Sequence, residues 1–269
     1  IGAVAELPGP VADRARRTTK IFAEELVMGS KSSGMDAATR AAFFDVDETL
    51  ITAKSMFVFL RHWIERRGGD SSAYQKAVAD IRAQVESGAD RTEINRMYYR
   101  FFTGVPYVDL LTAGRHWYQK YRGLPTAFVG STLSAISWHQ ARGDLIILIS
   151  GSFRACLEPL AVEVLADRVV CTEPIVDGAG RLTGEVVRPM IGANKGVAVA
   201  ETVSALQLLP EDCFCYGDHS SDLHMLSKVG HPRVVGEDPV LREHARRNGW
   251  PVLSACPSPI RTPVDLAAS

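Results

Sequence analysis

Two aspartates separated by one residue follow an apolar run near residue 43. Asp45 and Asp47 stand in the segment 43–50, which begins with two phenylalanines. A buried strand that ends in carboxylates delivers them to the sheet edge where open α/β sheets bind their ligands. Carboxylates placed there can act as a nucleophile and as a general acid or base. The simpler alternative is a turn rich in Asp and Thr that caps the next element.

Three further residues could bind a phosphoryl group. Ser150 and Gly151 end an apolar run and precede a predicted helix, so the hydroxyl and the backbone amide could cradle phosphate oxygens. The same Ser-Gly-Ser sequence is also common in turns, where Ser152 would be the helix N-cap. Lys195, at the start of another predicted helix, could neutralise a phosphoryl oxygen, although taken alone it reads as an ordinary surface lysine.

A second pair of carboxylates follows the strand-like run at 213–216. Gly217 permits a tight turn, and Asp218 and Asp222 come after it, four residues apart. Carboxylate oxygens in such an arrangement suit a hard cation such as Mg²⁺. Asp222 could instead, or also, cap the following helix.

The elements that must position these residues alternate as expected for a parallel sheet covered by helices. The predicted strands are 42–46, 145–150, 168–171, 213–216 and 233–235. The predicted helices are 13–28, 153–165, 195–208, 222–229 and 239–248. Glycines at 178, 180 and 184 predict a hairpin that interrupts the alternation. The fold class is therefore α/β. The four motifs, which contain Asp45 and Asp47, Ser150, Lys195, and Asp218 and Asp222, are expected at one edge of one sheet.

In this order the motifs resemble the haloacid dehalogenase-like (HAD) superfamily, specifically its phosphoserine-phosphatase-like branch. The resemblance extends from about residue 41 to residue 253. It implies a Rossmann-like core with a parallel sheet and an inserted helical cap domain of the C1 type. We therefore expect residues 41–53 and 144–269 to form the core, 54–143 the cap, and 1–40 an N-terminal extension.

The resemblance also implies roles for the motif residues. Asp45 would be the nucleophile, and Asp47 the general acid and then base. Phosphoryl oxygens would be bound by Ser150, Gly151 and Lys195. A Mg²⁺ ion would be held by the Asp45 carboxylate, the Asp47 backbone carbonyl and the Asp218 carboxylate, with Asp222 supporting this shell directly or through water. Relatives that react at carbon, or that keep the phosphoenzyme as their working state, typically lack an acid at position 47. Its presence here therefore favours phosphate hydrolysis.

The segment 54–143 carries 13 basic and 7 acidic residues in a chain of net charge −1, and it contains no convincing strand. We read it as a helical lid over an anionic ligand; the alternative is a helical bundle with a solvated charged face. Arg96 and Arg100, four residues apart on one helix face, could bind a second anionic group of the substrate. Other candidates in the lid, each with an ordinary packing or surface role as an equal alternative, are Ser55, Phe57, Arg61 and Tyr99.

Two residues depart from the pattern of the branch. Glu48 replaces the glycine that is common after the second Asp, and Ser221 replaces the asparagine that phosphoserine phosphatases usually carry before the last Asp. The second departure weakens phosphoserine as the substrate. The expected function is a Mg²⁺-dependent phosphomonoesterase for a small phosphorylated metabolite. A lipid-phosphate phosphatase, a phosphotransferase and, from a different class, a non-catalytic binding module are the alternatives.

The overall composition gives no indication of a macromolecular partner. Hydrophobic residues make up 46% and charged residues 23%, which indicates neither nucleic-acid binding nor stable membrane insertion. No secretory signal is visible at the start of the sequence, and the five cysteines lack the spacing of a zinc site or a disulfide scaffold, so we expect buried, reduced thiols in the cytoplasm. The oligomeric state, a homodimer included, stays open.

Overall fold

The computed structural model describes residues 40–258. The predicted helix at 13–28, residues 1–39 of the expected N-terminal extension and residues 259–269 of the expected core lie outside that range. The strands are β1 (Ala41–Phe44), β2 (Phe128–Val129), β3 (Leu145–Ser150), β4 (Arg168–Cys171), β5 (Pro174–Val176), β6 (Leu182–Val186), β7 (Phe214–Gly217), β8 (His231–Val235), β9 (Val252–Leu253) and β10 (Pro257–Ser258). The helices are α1 (Ser55–Arg66), α2 (Ser71–Glu86), α3 (Arg91–Arg100), α4 (Tyr107–Arg122), α5 (Gly130–Ala141), α6 (Arg154–Glu163), α7 (Ala193–Ala205), α8 (Leu223–Leu226) and α9 (Pro239–Asn248). Short 3₁₀ turns lie at Pro210–Asp212 and Ser220–Asp222.

Six of the strands form one parallel sheet in the order β4-β3-β1-β7-β8-β9. The first strand therefore lies at the centre, with Phe44 opposite Leu148 of β3 on one side and opposite Tyr216 of β7 on the other. Since all three strands run the same way, their carboxyl ends meet at one edge. This confirms the predicted α/β class and the expected position of the motifs.

The central strands are buried on both faces because their residues alternate between two apolar layers. Ala42 and Phe44 belong to one layer, and Ala41 and Phe43 to the other. Helix α6 covers the first layer, while α7 and α9 cover the second. Strands with both faces covered read as continuous apolar runs, which is why β1 and β3 are easy to recognise in the sequence.

The long connection between β1 and β3 contains helices α1 to α5 and packs against the sheet layer through aromatic side chains. Phe153, just before α6, meets Phe59, Tyr98 and Tyr99 at ring-centroid distances of 5.5 to 6.2 Å. Gly114 on α4 lies so close to α6 that an added Cβ would fall 1.7 Å from the Ala155 carbonyl oxygen. The helices of the segment 54–143 thus pack directly on α6, the helix that covers the sheet.

Several element predictions need correction. The segment 54–143 was expected to lack strands, but Phe128–Val129 pairs antiparallel with Pro257–Ser258. The predicted helix at 222–229 is shorter than expected, since α8 ends at Leu226. Asp222 occupies the N-cap position of α8 without a side-chain bond to it, and its carboxylate instead accepts from the His219 amide in the capping box of the preceding 3₁₀ turn. The hairpin is confirmed as the antiparallel pair β5–β6.

The cysteine prediction holds for four residues and is wrong for one. All five cysteines are free; four are buried, but Cys256, which directly precedes β10 in an exposed stretch of chain, is exposed. Among residues 40–258, no helix is long and apolar enough to cross a bilayer.

Candidate active site

The carboxyl ends of the three central strands bring the sequence motifs together. Asp45 follows β1 directly, and its amide donates to the Tyr216 carbonyl oxygen at 2.9 Å. Ser150 is the last residue of β3, and Asp218 comes directly after β7. Because β1 lies between β3 and β7, Asp45 has the hydroxyl on one side and the second carboxylate on the other.

A glycine is required where β7 turns back toward the site. A Cβ at Gly217 would lie 2.8 Å from the Cβ of Asp222, so only glycine lets the 3₁₀ turn approach so closely. Asp222 Oδ2 accepts a hydrogen bond from the His219 amide at 3.3 Å, which fixes the returning carboxylate.

Three carboxylates form one compact cluster. Oxygen atoms of Asp45, Asp218 and Asp222 all lie within 4.8 Å of one another. Thr49 donates to Asp218 Oδ1 at 2.8 Å and so fixes the orientation of Asp218, the most exposed of the three carboxylates. Hard, crowded oxygen donors of this kind fit a small divalent cation with oxygen preference.

Lys195 is buried between two members of this cluster, so its reading as an ordinary surface residue is wrong. Its Nζ donates to Asp45 Oδ1 at 2.7 Å and to Asp222 Oδ1 at 2.8 Å. Gly192, at φ +53°, turns the chain into α7 and places the lysine in the first turn. An added Cβ at Gly196 would lie 2.6 Å from the His224 carbonyl oxygen, so this glycine lets α7 pack tightly on α8.

The cluster holds more negative charge than one lysine can balance. Burial raises the pKa of Asp45 although Lys195 opposes the shift. Burial, with the charges of Asp45 and Asp222, raises the pKa of Asp218 to about 9. Burial alone would lower the pKa of Lys195, but the two neighbouring carboxylates more than offset it and the pKa is raised. The physical reason for all three shifts is unscreened charge in a site with little water.

Asp47 has the environment of a proton-transferring group. Burial and the nearby charge of Asp45 raise the pKa of Asp47 to about 7. Its Oδ1 atom is buried and has no hydrogen-bond partner among the described residues. An unpaired buried carboxyl oxygen is costly, which indicates an atom kept for a reacting group.

Residues 150–152, which we call the phosphate loop after their proposed role, are held partly by side chains of the lid. The Ser152 amide donates to Ser150 Oγ at 3.0 Å, and the Gly151 carbonyl oxygen accepts from Asn95 Nδ2 at 2.8 Å and from Tyr99 Oη at 3.1 Å. A Cβ at Gly151 would lie 2.4 Å from Ile191 Cδ1.

Ser152 is not the N-cap of α6, contrary to one reading of the sequence. The N-cap position is Phe153, without a side-chain bond, because the hydroxyl of Ser152 accepts from Ser55 Oγ at 2.8 Å instead. Among the lid candidates, Ser55 and Tyr99 thus contact the phosphate-loop segment.

Of the other lid candidates, Arg100 and Arg61 interact with side chains outside the acidic cluster. Arg100 pairs with Glu93 at 3.4 Å and with Glu185 at 3.9 Å, and Arg61 lies over the Tyr74 ring at 4.6 Å. Arg96 and Phe57 are partly buried.

Two lid residues were missed by the sequence analysis. Asn95 is buried against Gly151, and Arg91 contacts His219 beside the acidic cluster. Asp90 caps α3 by accepting from the Glu93 amide at 2.8 Å, so the helix begins at Arg91. The available signal was this N-cap followed by an Arg and an Asn four residues apart, which share one helix face.

Comparison with known proteins agrees with this geometry. The sequence profile of the haloacid dehalogenase-like hydrolases matches residues 42–227. A probable phosphatase of Mycobacterium tuberculosis is 30% identical over 223 residues, which cover 81% of this chain and 76% of that protein.

Solved structures share the fold. A Bordetella pertussis protein of unknown function superimposes with a TM-score of 0.72 at 22% identity, covering 81% of this chain and 99% of the other. A phosphoserine phosphatase, solved as an analogue of its phospho-aspartyl intermediate, gives a TM-score of 0.59 at 17% identity and covers 82% of this chain and 95% of the other.

Proposed function

The chain belongs to the haloacid dehalogenase-like hydrolase family, and from that premise we propose that it is a Mg²⁺-dependent phosphomonoesterase acting on a small phosphorylated metabolite through an aspartyl-phosphate on Asp45. The enzyme class, a phosphoric monoester hydrolase, agrees with the family match and with the relative named a phosphatase. The observation that carries the finer proposal is the hydrogen bond between Lys195 and Asp45 inside a cluster of three carboxylates.

Asp45 is suited to attack a phosphate ester. Lys195 binds its Oδ1 atom, which fixes the orientation of the carboxylate and offsets its charge as a dianionic phosphate approaches. The Ser150 hydroxyl accepts from the Ser152 amide, so its own proton is free to be donated to a phosphoryl oxygen. The Gly151 amide is the second proposed donor.

Asp47 is suited to move the proton. With a pKa raised to about 7, a substantial fraction of the carboxyl is protonated at neutral pH and can protonate the leaving oxygen. Once ionised, the same group can take a proton from the water that hydrolyses the aspartyl-phosphate. Its unpartnered Oδ1 atom is the one we assign to this exchange.

The carboxylates of Asp45, Asp218 and Asp222 and the backbone carbonyl of Asp47 are the groups we propose to hold Mg²⁺. When bound, the ion supplies positive charge that offsets the repulsion between phosphate and carboxylate. The raised pKa of Asp218 supports this assignment, because a carboxylate crowded by other carboxylates gains from a cation.

We also propose the division into a core of residues 41–53 and 144–269 and a cap of residues 54–143. Helices α1 and α3 of the proposed cap reach the phosphate loop through Ser55, Asn95 and Tyr99. Cap helices in this position exclude water from the site while the reactive aspartyl-phosphate exists.

The test is release of phosphate from a panel of phosphomonoesters, with Mg²⁺ or with EDTA. The panel spans phosphoserine, sugar phosphates, nucleoside monophosphates and lysophosphatidate. Wild type should release phosphate only with Mg²⁺, Asp45→Asn should be inactive, and the exposed-site control Asp80→Asn should match wild type. With p-nitrophenyl phosphate, whose leaving group needs no proton, acid-quenched Asp47→Asn should carry phosphate on a peptide that contains Asp45, because only the hydrolysis step still requires the missing base.

Activity that survives Asp45→Asn would overturn the proposed nucleophile, and activity in EDTA would overturn the metal requirement. Phosphate transferred to an added alcohol, or turnover of lysophosphatidate alone, would replace this proposal with a phosphotransferase or a lipid-phosphate phosphatase.

A further inference from the structure

Asn95 is a buried amide of lid helix α3 that binds two separate segments at the carboxyl edge of the sheet. Its Nδ2 atom donates to the Gly151 carbonyl oxygen at 2.8 Å, and its Oδ1 atom accepts from the Thr172 hydroxyl at 3.3 Å. Nδ2 also lies 3.8 Å from the Met56 sulfur. The residue is only 5% exposed. Because a carbonyl oxygen can accept only from the NH₂ group, these partners fix the amide in one orientation.

The bond to Gly151 fixes the peptide plane that orients the Ser150 hydroxyl. The peptide bond between Gly151 and Ser152 is trans, so its carbonyl and its amide point in opposite directions. Holding the carbonyl toward Asn95 therefore turns the amide toward Ser150 Oγ, to which it donates at 3.0 Å. The hydroxyl then keeps its own proton for a phosphoryl oxygen. Asn95 thus acts on Ser150 through the backbone of the phosphate loop.

The bond to Thr172 connects the same amide to the segment that leads to Lys195. Thr172 directly follows β4 and is fully buried. Its Oγ1 atom accepts from the Met190 amide at 2.9 Å, while its own amide donates to the Ser152 carbonyl oxygen at 3.0 Å. Soon after Met190 the chain turns at Gly192 into α7, whose first turn carries Lys195. The Thr172 hydroxyl therefore links the start of α7 to the amide that holds the phosphate loop.

The two segments are also in direct contact. An added Cβ at Gly151 would lie 2.4 Å from Ile191 Cδ1, which shows that the backbone of the phosphate loop packs on the turn before α7. That turn is braced by Asn194, whose Nδ2 atom donates to the Pro189 carbonyl oxygen at 2.8 Å. A shift of one segment therefore displaces the other, and a misplacement of about 1 Å can cost about a hundredfold in rate.

We propose that Asn95 and Thr172 form a buried positioning pair that aligns the phosphate loop with the turn that carries Lys195. Neither residue touches the phosphate itself. The lid thereby supplies one amide that sets the relative position of two phosphate-binding groups of the core. This inference rests on the proposed phosphatase function and deepens it.

Four variants test the pair, with p-nitrophenyl phosphate and saturating Mg²⁺. Asn95→Leu removes both bonds at similar side-chain volume. Asn95→Asp keeps the shape, but the introduced carboxyl can donate to the Gly151 carbonyl oxygen only when it is protonated. Thr172→Val removes the bridging hydroxyl and Thr172→Ser keeps it. The matched control is Thr202→Val, which removes a buried hydroxyl that donates to the Ala198 carbonyl oxygen within α7.

Asn95→Leu should lower kcat about tenfold or more and change KM less than about threefold, because the phosphate-binding groups are all present but misaligned. Thr172→Val should lower kcat about threefold to tenfold, since one of the two bonds of the amide is lost. Thr172→Ser and Thr202→Val should stay within about twofold of wild type, because each keeps the bonds of Asn95.

The pH profile separates positioning by a donated bond from a merely structural role. Relative to wild type at the same pH, Asn95→Asp should be about fivefold or more as active at about pH 5 as at about pH 9, since only the protonated carboxyl restores the bond. The corresponding ratio for Asn95→Leu should not change with pH. Thermal denaturation at both pH values ensures that kcat is compared between folded samples.

Wild-type kcat in Asn95→Leu would overturn the inference. So would Asn95→Asp that is folded and equally impaired at both pH values. In either case turnover by wild type leaves the proposed phosphatase function standing. Wild type that releases phosphate from neither p-nitrophenyl phosphate nor the wider panel would overturn both.

Discussion

The two walls of the proposed active site are built in different ways. On the sheet side, the buried Lys195 donates to the buried carboxylates of Asp45 at 2.7 Å and Asp222 at 2.8 Å. On the lid side, α3 contributes a buried contact through Asn95 and an exposed one through Arg91. Under the proposed function, we infer from this difference that the sheet side, where charge must be fixed, performs the chemistry, and that the lid side contacts the rest of the substrate.

The largest expected effect comes from removing the positive charge of Lys195, which tests the role of the sheet side directly. Lys195→Met should lower kcat by about a thousandfold or more, because the charge that offsets phosphate and nucleophile is lost from a buried site. Lys228→Met, at an exposed position, should keep kcat within about twofold. Phosphate release under saturating Mg²⁺ measures both. A Lys195→Met enzyme that is folded and keeps a tenth of wild-type activity would show that the sheet side is not the catalytic wall.

The pH dependence of stability tests the charge of the cluster without substrate. In the metal-free protein the folded-state pKa values of Asp47 and Asp218 are raised from 3.8 to about 7 and about 9. Between 3.8 and those values the folded state holds protons that the unfolded state has released. Its free energy of unfolding therefore falls as pH rises through this window.

With EDTA, the melting temperature should fall between about pH 5 and about pH 9, and the fall should be smaller in Asp218→Asn. Added Mg²⁺ should raise the melting temperature more at about pH 9 than at about pH 6, since the cation competes with a proton on Asp218. Equal stabilisation by Mg²⁺ at both pH values would contradict a proton held by the cluster.

The lid side allows a matched test with two adjacent tyrosines. Tyr99 donates to the Gly151 carbonyl oxygen at 3.1 Å, whereas Tyr98 donates to the Met56 carbonyl oxygen at 2.8 Å. Both are buried, so each Tyr→Phe change should cost about 1 kcal/mol of unfolding free energy.

Only Tyr99→Phe should also lower kcat, by about threefold to tenfold, because the loop that aims the Ser150 hydroxyl loses one of its two anchors. Thermal denaturation and steady-state kinetics on the same samples separate the two effects. Equal kcat values for the two variants would mean that α3 does not position the phosphate loop.

Sequence reasoning was successful where the backbone itself fixes the side chain. Asp45, Ser150 and Asp218 come at the ends of apolar parallel strands. The register of a parallel sheet brings these strand ends to one edge independently of how the helices pack. The predicted bounds of these strands differ from the observed ones by at most two residues, as for β1, which does not move the side chains to another edge. The sheet, the hairpin and the grouping of the motifs could therefore be predicted.

Prediction from the sequence was less successful where the position of a side chain depends on the rotation of its helix about the helix axis. Spacing placed Arg96 and Arg100 on one face of α3 correctly, but could not tell which face meets the phosphate loop. The packing of Tyr98 and Tyr99 on Phe153 settles that rotation and turns Arg91 and Asn95 toward the site. Such packing depends on side chains far apart in the sequence, which a single sequence does not reveal.

The smallest expected effect concerns strain in the loop that carries Asp47. Glu48 adopts φ +59°, the left-handed conformation that favours glycine. Its ion pair with Lys54 is exposed and contributes little. Glu48→Gly should therefore raise the unfolding free energy, by less than about 1 kcal/mol because the more flexible unfolded chain offsets part of the gain.

Gln207→Gly, at φ +55° and outside the site, is the matched control and should change stability in the same direction. Urea denaturation measures both, and kcat of Glu48→Gly should stay within about twofold of wild type. Stability gained together with a large loss of kcat would mean that the strained residue holds Asp47 in place. In that case the sheet side would depend on stored backbone strain as well as on buried charge, and the contrast between the two walls would be larger than hydrogen bonds alone indicate.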